Sequence, residues 1–341
     1  MSDIQADKAL FLQAGALGDS LFALTLADFV KNSLKLDAVD FLGRPEYTSY
    51  FPSRTCVSKV YDWDRFAAHR LFTDPAGFDI PDSDPLLELL SDYQCIVNLI
   101  GGNDSDFEKN LIFAVYCRRS ADIATILTRP EKGGLHLADF FISQFAEQAG
   151  LTVAVKDEHK NKILVRATGA DKVRGGKILN NAAESFFGGP MPLTQSDRLV
   201  IIAPGGGGLG KCWCLDNFLR VADLLSAEGL TPVFLLGPAE MERFSSRRIS
   251  EIQAAAVTLS GLSLEELVGC LSFAKVFIGN DSGVSNLAGL MGIKTIAVFG
   301  PTDPAVYRPL GPDAAAVRDD SADFADSPSP PVQQKVLSLI R

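Results

Sequence analysis

Short aliphatic runs alternate along this chain with longer amphipathic stretches, and this alternation is the feature that most constrains its fold. In the second half, RLVIIAP (198–204) and TPVFLLG (231–237) have the length of buried strands. Between them, LDNFLRVADLLSAEG (215–229) repeats its apolar residues at helical spacing. This order is typical of βαβ units, whose strands lie parallel. The sequence therefore predicts an α/β fold with helices on both faces of parallel sheets.

Further runs of the same two kinds extend the pattern over most of the chain. Ser263 followed by Glu266 forms a capping box, which predicts the start of a helix. The polar segment 156–197 contains two Gly-Gly pairs and predicts a linker near 190–197, whereas residues 50–90 show little pattern. The other predicted strands are 9–13, 38–43, 94–101, 275–280 and 294–300, and the other predicted helices are 19–33, 136–150, 239–253, 263–274 and 332–341.

Composition argues against several classes of protein. The 341 residues suffice for about two domains and for a core that needs no disulfide or metal. The 42 acidic and 32 basic residues leave a formal charge of −10, which argues against nucleic acid as a partner. Six cysteines form no CxxC pair, so we expect a reduced, cytoplasmic protein without a metal site. No apolar run reaches the roughly 18 residues of a membrane span, and we expect no export signal at 9–17.

The segment APGGGGLGKCWCLDNF (203–218) joins a predicted strand to a predicted helix and contains four consecutive glycines. Backbone N–H groups and the helix dipole converge at such a turn, and glycines let a phosphate approach the backbone closely. Lys211 adds a positive charge, although Cys212 after it departs from the Walker pattern. We therefore interpret the segment as an anion site. A flexible turn with a solvated lysine is the alternative.

Two aspartates follow predicted strands, at positions where α/β sheets bind ligands. Asp281 lies between a strand and a helix, and it fits either a ligand site or a helix N-cap. Asp19 follows the first strand in QAGALGDSLFAL (13–24) and can act as a general base. It can equally be a first-turn carboxylate that the helix dipole favours. The residues alone leave both choices open.

A set of short motifs follows in order along nearly the whole chain. These motifs are Gly18-Asp19, Pro204–Gly208, Lys211-Cys212-Trp213, Gly237-Pro238-Ala239-Glu240, Asp281-Ser282-Gly283, Leu287-Ala288 and Phe299–Pro304. Together they resemble glycosyltransferase family 9, the heptosyltransferase family of lipopolysaccharide core assembly. The resemblance is most specific in the C-terminal third.

The resemblance implies the GT-B architecture, in which two Rossmann-like α/β domains face each other across a cleft. It implies an N-terminal acceptor-binding domain (1–192) and a C-terminal nucleotide-sugar-binding domain (193–328). A terminal helix (329–341) is expected to pack back on the N-terminal domain. The cleft would have Asp19 on one wall and the donor site on the other.

The resemblance also assigns roles to residues. Asp19 would deprotonate the acceptor hydroxyl, and Lys211 would hold the donor diphosphate. Glu240 would bind the ribose and Leu262 would lie near the base. The other expected donor contacts are Gly205, Gly206, Gly207 and Gly208 at the diphosphate, and Asp281, Ser282, Gly283 and Asn286 at the sugar and phosphate.

Some positions depart from the family pattern. Thr25 and Cys214 stand where prolines are usual, which we interpret as structural drift. Asn286 stands where histidine is usual. Because asparagine cannot carry a positive charge, a contact from this position to the donor would lose that charge.

The resemblance implies an inverting, metal-independent glycosyltransferase that moves a sugar, heptose from ADP-heptose, onto a lipopolysaccharide-core or other surface-glycan acceptor. No cofactor is expected beyond the nucleotide-sugar substrate. The expected partners are this donor, a glycan or glycolipid acceptor and, transiently, the inner membrane surface. A non-catalytic or altered-donor nucleotide-sugar-binding protein is the alternative, which Asn286 and the acidic balance favour. A nucleotide-sugar epimerase ranks last, because no residue supplies its catalytic histidine.

Overall fold

The computed structural model describes residues 7–117, 121–130, 134–152, 161–189, 192–195 and 197–340. The chain divides into two compact units, Met1–His159 and Lys160–Arg341. Each unit is an α/β domain with one parallel sheet, as the alternation of strand and helix patterns predicts.

The first unit has the strand order of a doubly wound sheet that lacks its sixth strand. Its strands are β1 (Lys8–Gln13), β2 (Ala38–Gly43), β3 (Val57–Asp62), β4 (Cys95–Asn98) and β5 (Asp122–Thr125). Its α-helices are α1 (Leu17–Leu34), α2 (Pro45–Thr48), α3 (Pro85–Ser91), α4 (Asp106–Tyr116) and α5 (Leu137–Gln148). The strands pair in parallel in the order β3-β2-β1-β4-β5. The buried strand β1 therefore lies at the centre of the sheet.

The second unit repeats this order and adds a sixth strand. Its strands are β6 (Leu199–Ala203), β7 (Thr231–Leu236), β8 (Val257–Ser260), β9 (Val276–Asn280), β10 (Lys294–Phe299) and β11 (Ala314–Arg318). Its α-helices are α6 (Gly169–Phe187), α7 (Leu215–Ala227), α8 (Pro238–Arg243), α9 (Ser246–Ala255), α10 (Leu264–Leu271), α11 (Gly283–Leu290), α12 (Pro304–Tyr307) and α13 (Pro330–Ile340). The parallel order is β11-β10-β9-β6-β7-β8.

Each sheet has one point where the chain reverses its direction of travel across the strands. In the first unit this point lies between β1 and β4, and in the second between β6 and β9. Ligands of open α/β sheets bind beyond the carboxyl ends of the strands at this point. Asp19 follows β1, the four glycines follow β6 and Asp281 follows β9, so the fold brings the predicted residues of each unit to its switch point.

The strands that the sequence analysis did not predict are the edge strands of both sheets. They are β3 and β5 in the first unit, and β8 and β11 in the second. Each has exposed or half-buried positions, whereas the central strands β4, β6 and β9 are buried throughout. An edge strand has one paired side only, and its short mixed pattern carries little signal.

The units divide near residue 160, earlier than the predicted boundary at 192. The polar segment 156–197, at whose end the linker was predicted, contains α6, which packs on α10 within the second unit. Glycine makes this packing close, because a Cβ on Gly175 would overlap with the backbone of Gly269. The Gly-Gly pair at 175–176 thus lies within a packed helix.

The terminal helix forms where it was predicted. The buried side chains of α13 are Gln333, Val336, Leu337 and Ile340. Val336, Leu337 and Ile340 join the hydrophobic core of the second unit, where α13 packs on α7 and β11. The expected contact of this helix with the N-terminal domain stays a prediction.

The helix predicted over 239–253 is instead two helices, α8 and α9. Phe244 has extended backbone angles (φ −77°, ψ 135°) and ends α8. Ser245 begins α9, because its side chain accepts a hydrogen bond from the N–H of Arg248. By contrast, the capping box of Ser263 and Glu266 at the start of α10 is confirmed.

Within the described ranges, no helix combines the length and the apolar character that a membrane span requires. The same ranges contain no group of three or more His, Cys, Asp or Glu side chains that could hold a metal ion.

Candidate functional site

Asn280, the last residue of β9, holds the loop that follows β6. Its side chain is fully buried. Its Nδ2 donates to the carbonyl oxygens of Pro204 and Gly205 at 2.8 and 3.1 Å. Its Oδ1 accepts from the N–H of Trp213 at 2.8 Å. One side chain therefore joins both ends of the loop to the neighbouring strand. Asn280 was not among the predicted site residues, and its only signal in the sequence is its place at a strand end before Asp281.

Two more side chains bond the carbonyl oxygens of this loop. Arg243 Nη1 donates to the carbonyl oxygen of Gly206 at 2.8 Å. Cys212 Sγ donates to that of Gly208 at 3.3 Å. Burial raises the pKa of the Cys212 thiol, and the nearby Glu240 carboxylate adds to this effect, so the thiol keeps its proton for that bond.

The N–H groups of Gly205–Gly208 are free of hydrogen bonds to the described part of the chain. In the same loop, Gly207 is the only one of these glycines whose carbonyl oxygen has no side-chain donor among the described residues. A loop whose carbonyl oxygens already accept hydrogen bonds, and whose N–H groups do not donate to the described residues, is suited to binding an anion. Added Cβ atoms on Gly207 and Gly208 would meet nothing within 4 Å, so the space beside the loop is open.

Lys211 and Asp281 lie together at the rim of the loop. Lys211 Nζ is 3.5 Å from Asp281 Oδ2, and the two side chains are 45% and 11% exposed. The ammonium also lies 5.9 Å from the ring centroid of Tyr307 in α12. An ion pair this exposed contributes little to stability. An incoming phosphate can therefore replace the carboxylate as the partner of Lys211.

Glu240 is nine-tenths buried against the glycine loop. Its Oε2 accepts from the N–H of Gly237 at 2.7 Å, which places the carboxylate at the start of α8. A Cβ on Gly205 would overlap with Glu240 Oε1, so this position in the loop requires glycine. The residue expected at the ribose thus lies directly beside the loop expected at the diphosphate.

Ser282, and not Asp281, is the N-cap of α11. Ser282 Oγ accepts from the N–H of Ser285 at 3.3 Å, and this leaves Asp281 for Lys211. Asn286 is 5% exposed, and its Nδ2 donates to the carbonyl oxygen of Ser282 at 3.3 Å. Its buried Oδ1 has no partner among the described residues. A buried polar atom without a partner is costly, and a ligand hydroxyl would satisfy it.

Leu262 is half-buried in the connection from β8 to α10. The residues expected to contact the donor therefore follow four strands: Asp281 follows β9, the glycines follow β6, Glu240 follows β7 and Leu262 follows β8. These strands are adjacent in the sheet in that order. All of the donor residues predicted in the second unit are thus on one edge of the sheet.

Trp213 anchors the far end of the loop in the core. It is fully buried, and its Nε1 donates to Asp319 Oδ2 at 2.9 Å. Asp319 Oδ1 also accepts from the N–H of Ser321 at 3.1 Å. Burial alone would raise the pKa of Asp319, but the hydrogen bonds from Ser321 and Trp213 outweigh it and hold the pKa below its usual value.

In the first unit, Asp19 lies in the first turn of α1. Its Oδ2 accepts from the N–H of Ala16 at 3.1 Å, and the residue is exposed. Gly15 permits this conformation, because a Cβ there would lie 2.7 Å from Asp19 Oδ2. The carboxylate therefore stabilises its own helix start and also faces solvent. Both interpretations of Asp19 fit this geometry, and its role as a base stays a prediction.

The two doubly wound sheets and the anion loop define a two-domain Rossmann-like protein whose second domain is suited to a phosphate-bearing ligand. Residues 167–330, just under half of the chain, match the model of glycosyltransferase family 9 (heptosyltransferase). The resemblance found in the motifs is thereby confirmed.

Known relatives agree with this match. Lipopolysaccharide heptosyltransferase 3 of Escherichia coli is 33% identical over 113 residues, which are 32% of this chain and 33% of that protein. The chain spans 31–42% of the length of the curated relatives it matches.

Solved structures share the fold over nearly the whole chain. A family 9 glycosyltransferase from Veillonella parvula has a TM-score of 0.68 at 16% identity, over 99% of this chain and 98% of that one. The E. coli heptosyltransferase WaaC, solved with ADP, has a TM-score of 0.65 at 17% identity, over 97% and 99%. This likeness confirms the predicted GT-B fold class, with two Rossmann-like domains.

Proposed function

We propose that this protein is an inverting glycosyltransferase that transfers a sugar, heptose from ADP-heptose, to a lipopolysaccharide-core or other surface-glycan acceptor. The match of residues 167–330 to the model of family 9 supports glycosyl transfer. The observation that carries the proposal is the loop Gly205–Gly208, whose N–H groups are free of bonds to the described residues while side chains hold its carbonyl oxygens. A diphosphate is the part of the donor that such a loop binds.

The order of the strands supports a nucleotide-sugar as the ligand. The proposed contacts follow the strand order β9-β6-β7-β8. In that order they are the sugar at Asp281, the diphosphate at the loop, the ribose at Glu240 and the base at Leu262. Successive strands are about 4.8 Å apart, so the four contacts are spaced along a line as the parts of an extended nucleotide-sugar are. The relative solved with ADP supports an adenine nucleotide.

In the proposed reaction, the acceptor hydroxyl oxygen attacks the anomeric carbon and the bond from that carbon to the β-phosphate oxygen breaks. The hydroxyl proton passes to Asp19, and the bonding electrons leave with the nucleoside diphosphate. The loop N–H groups, the N-terminus of α11 and Lys211 stabilise this negative charge as it grows. These groups supply the stabilisation in our scheme, which therefore assigns no step to a metal ion or cofactor.

Asp281 fits the sugar better than the phosphates. Its carboxylate would repel a diphosphate, whereas sugar hydroxyls can donate hydrogen bonds to it. We therefore assign Lys211 to the diphosphate and Asp281 to hydroxyl groups of the transferred sugar. Ser282 and Gly283 are assigned to the junction of sugar and phosphate. The acceptor in this proposal is a glycan or glycolipid, encountered by a cytoplasmic enzyme at the inner membrane surface.

Release of ADP tests the proposal. The protein is incubated with ADP-heptose, with and without a lipopolysaccharide core that lacks heptose. We expect ADP release only when the acceptor is present, a product with the inverted anomeric configuration by NMR, and unchanged turnover in a metal chelator. UDP- and GDP-linked sugars serve as donor controls. Absence of any acceptor-dependent release with every donor would contradict glycosyl transfer.

Asn286 favours the second candidate, a non-catalytic or altered-donor nucleotide-sugar-binding protein. Its buried carboxamide is neutral, and its Oδ1 accepts no hydrogen bond from the described residues. Nucleotide release and a thermal-shift measurement together distinguish the two candidates. A non-catalytic protein would show a thermal shift with a nucleotide-sugar, because binding raises apparent stability, and would release no nucleotide.

A further inference from the structure

A second cavity lies at the opposite edge of the second sheet from the glycine loop. It has a volume of about 650 Å³ and is lined at the amino ends of β9 and β10, where Lys275 and Lys294 stand. Arg166 lines it from the segment before α6, and Lys172 from the first turns of that helix. Four cationic side chains from three separate parts of the chain therefore line one cavity.

Among the described residues that line the cavity, these four cations outnumber the carboxylates. None of the four forms an ion pair with a described residue. Asp313 is the one carboxylate among the described residues that line the cavity. The nearby Asp171 is buried and bonded to the N–H and Oγ1 of Thr168. Like charges collected around one cavity repel each other unless an anion joins them.

The cluster contrasts with the charge of the whole chain. The formal net charge is −10, so cations are in the minority and their collection at one site is not an effect of composition. The next turns of α6 extend the basic surface with Arg174 and Lys177, which line a further, smaller cavity together with the exposed Val173. Lysine ammonium groups on flexible stems are suited to phosphate as point charges.

We propose that this cavity, which we call the basic cavity, binds a phosphate-bearing ligand. Arg166, Lys172, Lys275 and Lys294 would neutralise the phosphate, which can belong to a lipid headgroup or to a free phosphorylated compound. The basic cavity is formed by elements remote from Lys211 and Asp281 in the sheet, since it lies at the amino ends of strands whose carboxyl ends carry the donor site. The inference does not depend on the proposed function.

A charge-reversal pair tests the basic cavity. Lys172→Glu/Lys275→Glu is compared with Lys109→Glu/Lys335→Glu, which makes the same change in net charge at two exposed helical lysines elsewhere. One arm measures pyrophosphate binding by calorimetry, and the other measures co-sedimentation with vesicles of anionic phospholipid, against vesicles of neutral phospholipid. Pyrophosphate that binds at the glycine loop contributes equally to both variants, so their difference reports the basic cavity.

We expect the cavity variant to bind at least about tenfold more weakly than the control in one arm, with the difference shrinking as salt rises. A difference with vesicles assigns the phosphate to a lipid headgroup, and a difference with pyrophosphate assigns it to a free compound. Equal binding by the two variants in both arms would overturn the proposal. If the double reversal unfolds the protein, Lys172→Gln/Lys275→Gln replaces it, with Lys109→Gln/Lys335→Gln as its control.

Discussion

Asn98 and Asn280 occupy equivalent positions in the two units and make different hydrogen bonds. Each is fully buried at the end of the strand that pairs with the central strand of its sheet. Asn280 bonds the loop after β6 at Pro204, Gly205 and Trp213. Asn98 bonds its own next turn, accepting from the N–H of Ile100 at 2.9 Å, and donates to Thr125 Oγ1 at 3.2 Å.

The difference is in what holds each loop: a side chain of the neighbouring strand in the second unit, and the turn's own residues in the first. In the second unit, the asparagine holds the carbonyl oxygens of the loop after the central strand, so its N–H groups are available to an anion. In the first unit, the turn after β1 is closed by its own residues, since Asp19 bonds Ala16 and Gln13 Oε1 accepts from the N–H of Gly15 at 2.6 Å. The same fold therefore presents donors in one unit and a carboxylate in the other.

The largest expected effect concerns that carboxylate. Asp19→Asn keeps the size of the side chain and removes the base, and we expect turnover to fall by about 10²–10⁴ with donor affinity nearly unchanged. Steady-state kinetics and ADP-sugar titration measure the two effects. Asp106→Asn, at an exposed first-turn carboxylate of α4, is the control and should leave turnover intact. Equal, small effects of both variants would mean that Asp19 only starts its helix.

Lys211→Ala should lower turnover by about 10²–10³, because the ammonium faces charge that grows on the leaving diphosphate. Unlike Asp19→Asn, this change lies on the donor side, so it should also weaken binding of ADP. Lys335→Ala, on the exposed side of α13, serves as the control. Full turnover in Lys211→Ala would show that the lysine is not part of the donor site.

The two asparagines provide a direct test of preorganisation. Asn280→Ala and Asn98→Ala each leave buried polar groups without partners, so each should lower the free energy of unfolding by about 1–3 kcal/mol in urea titrations. We expect only Asn280→Ala to weaken ADP binding, by about tenfold or more, since only it frees the loop. A matching loss of ADP affinity in Asn98→Ala would show that the effect is general destabilisation.

Gly205→Ala should weaken ADP binding by up to about tenfold, because the new methyl group displaces the Glu240 carboxylate and the loop. A Cβ at Gly210 would meet nothing within 4 Å, so Gly210→Ala is the matched control. Calorimetry with ADP compares the two variants. If both bind ADP equally well, the contact between Gly205 and Glu240 is not needed for the nucleotide.

The smallest expected effect concerns the anchor of the loop at Trp213. Since folding lowers the pKa of Asp319, its charge stabilises the protein above the unfolded-state pKa of about 3.9, and this contribution is lost as pH falls through the lower folded-state pKa. Asp319→Asn should therefore cost about 1–2 kcal/mol at neutral pH, with the difference from wild type shrinking below about pH 4. Urea unfolding over this pH range measures it, and a pH-independent difference would contradict the assignment.

Predictions from the sequence succeeded where burial is continuous and failed where it is partial. The interior strand β2 has the predicted bounds 38–43, because a run of buried, mostly apolar residues marks a strand by itself. The edge strands β3, β5, β8 and β11 were missed. The break between α8 and α9 was also missed, since the extended backbone at Phe244 interrupts a pattern that reads as continuous.

The sequence by itself determined the alternation of strands and helices, the glycine run, the capping box of α10 and the motifs of family 9, because each depends on residues close together in the chain. Tertiary structure decided what those residues do. The Gly-Gly pair in α6 is a packing surface, because α10 lies against it, and Asn280 reaches Pro204 and Gly205 only because β9 pairs with β6. Hydrogen bonds between residues more than 70 positions apart leave no local pattern in the sequence. The way Asn280 holds the carbonyl oxygens of the loop therefore could not be predicted before the strand order was known.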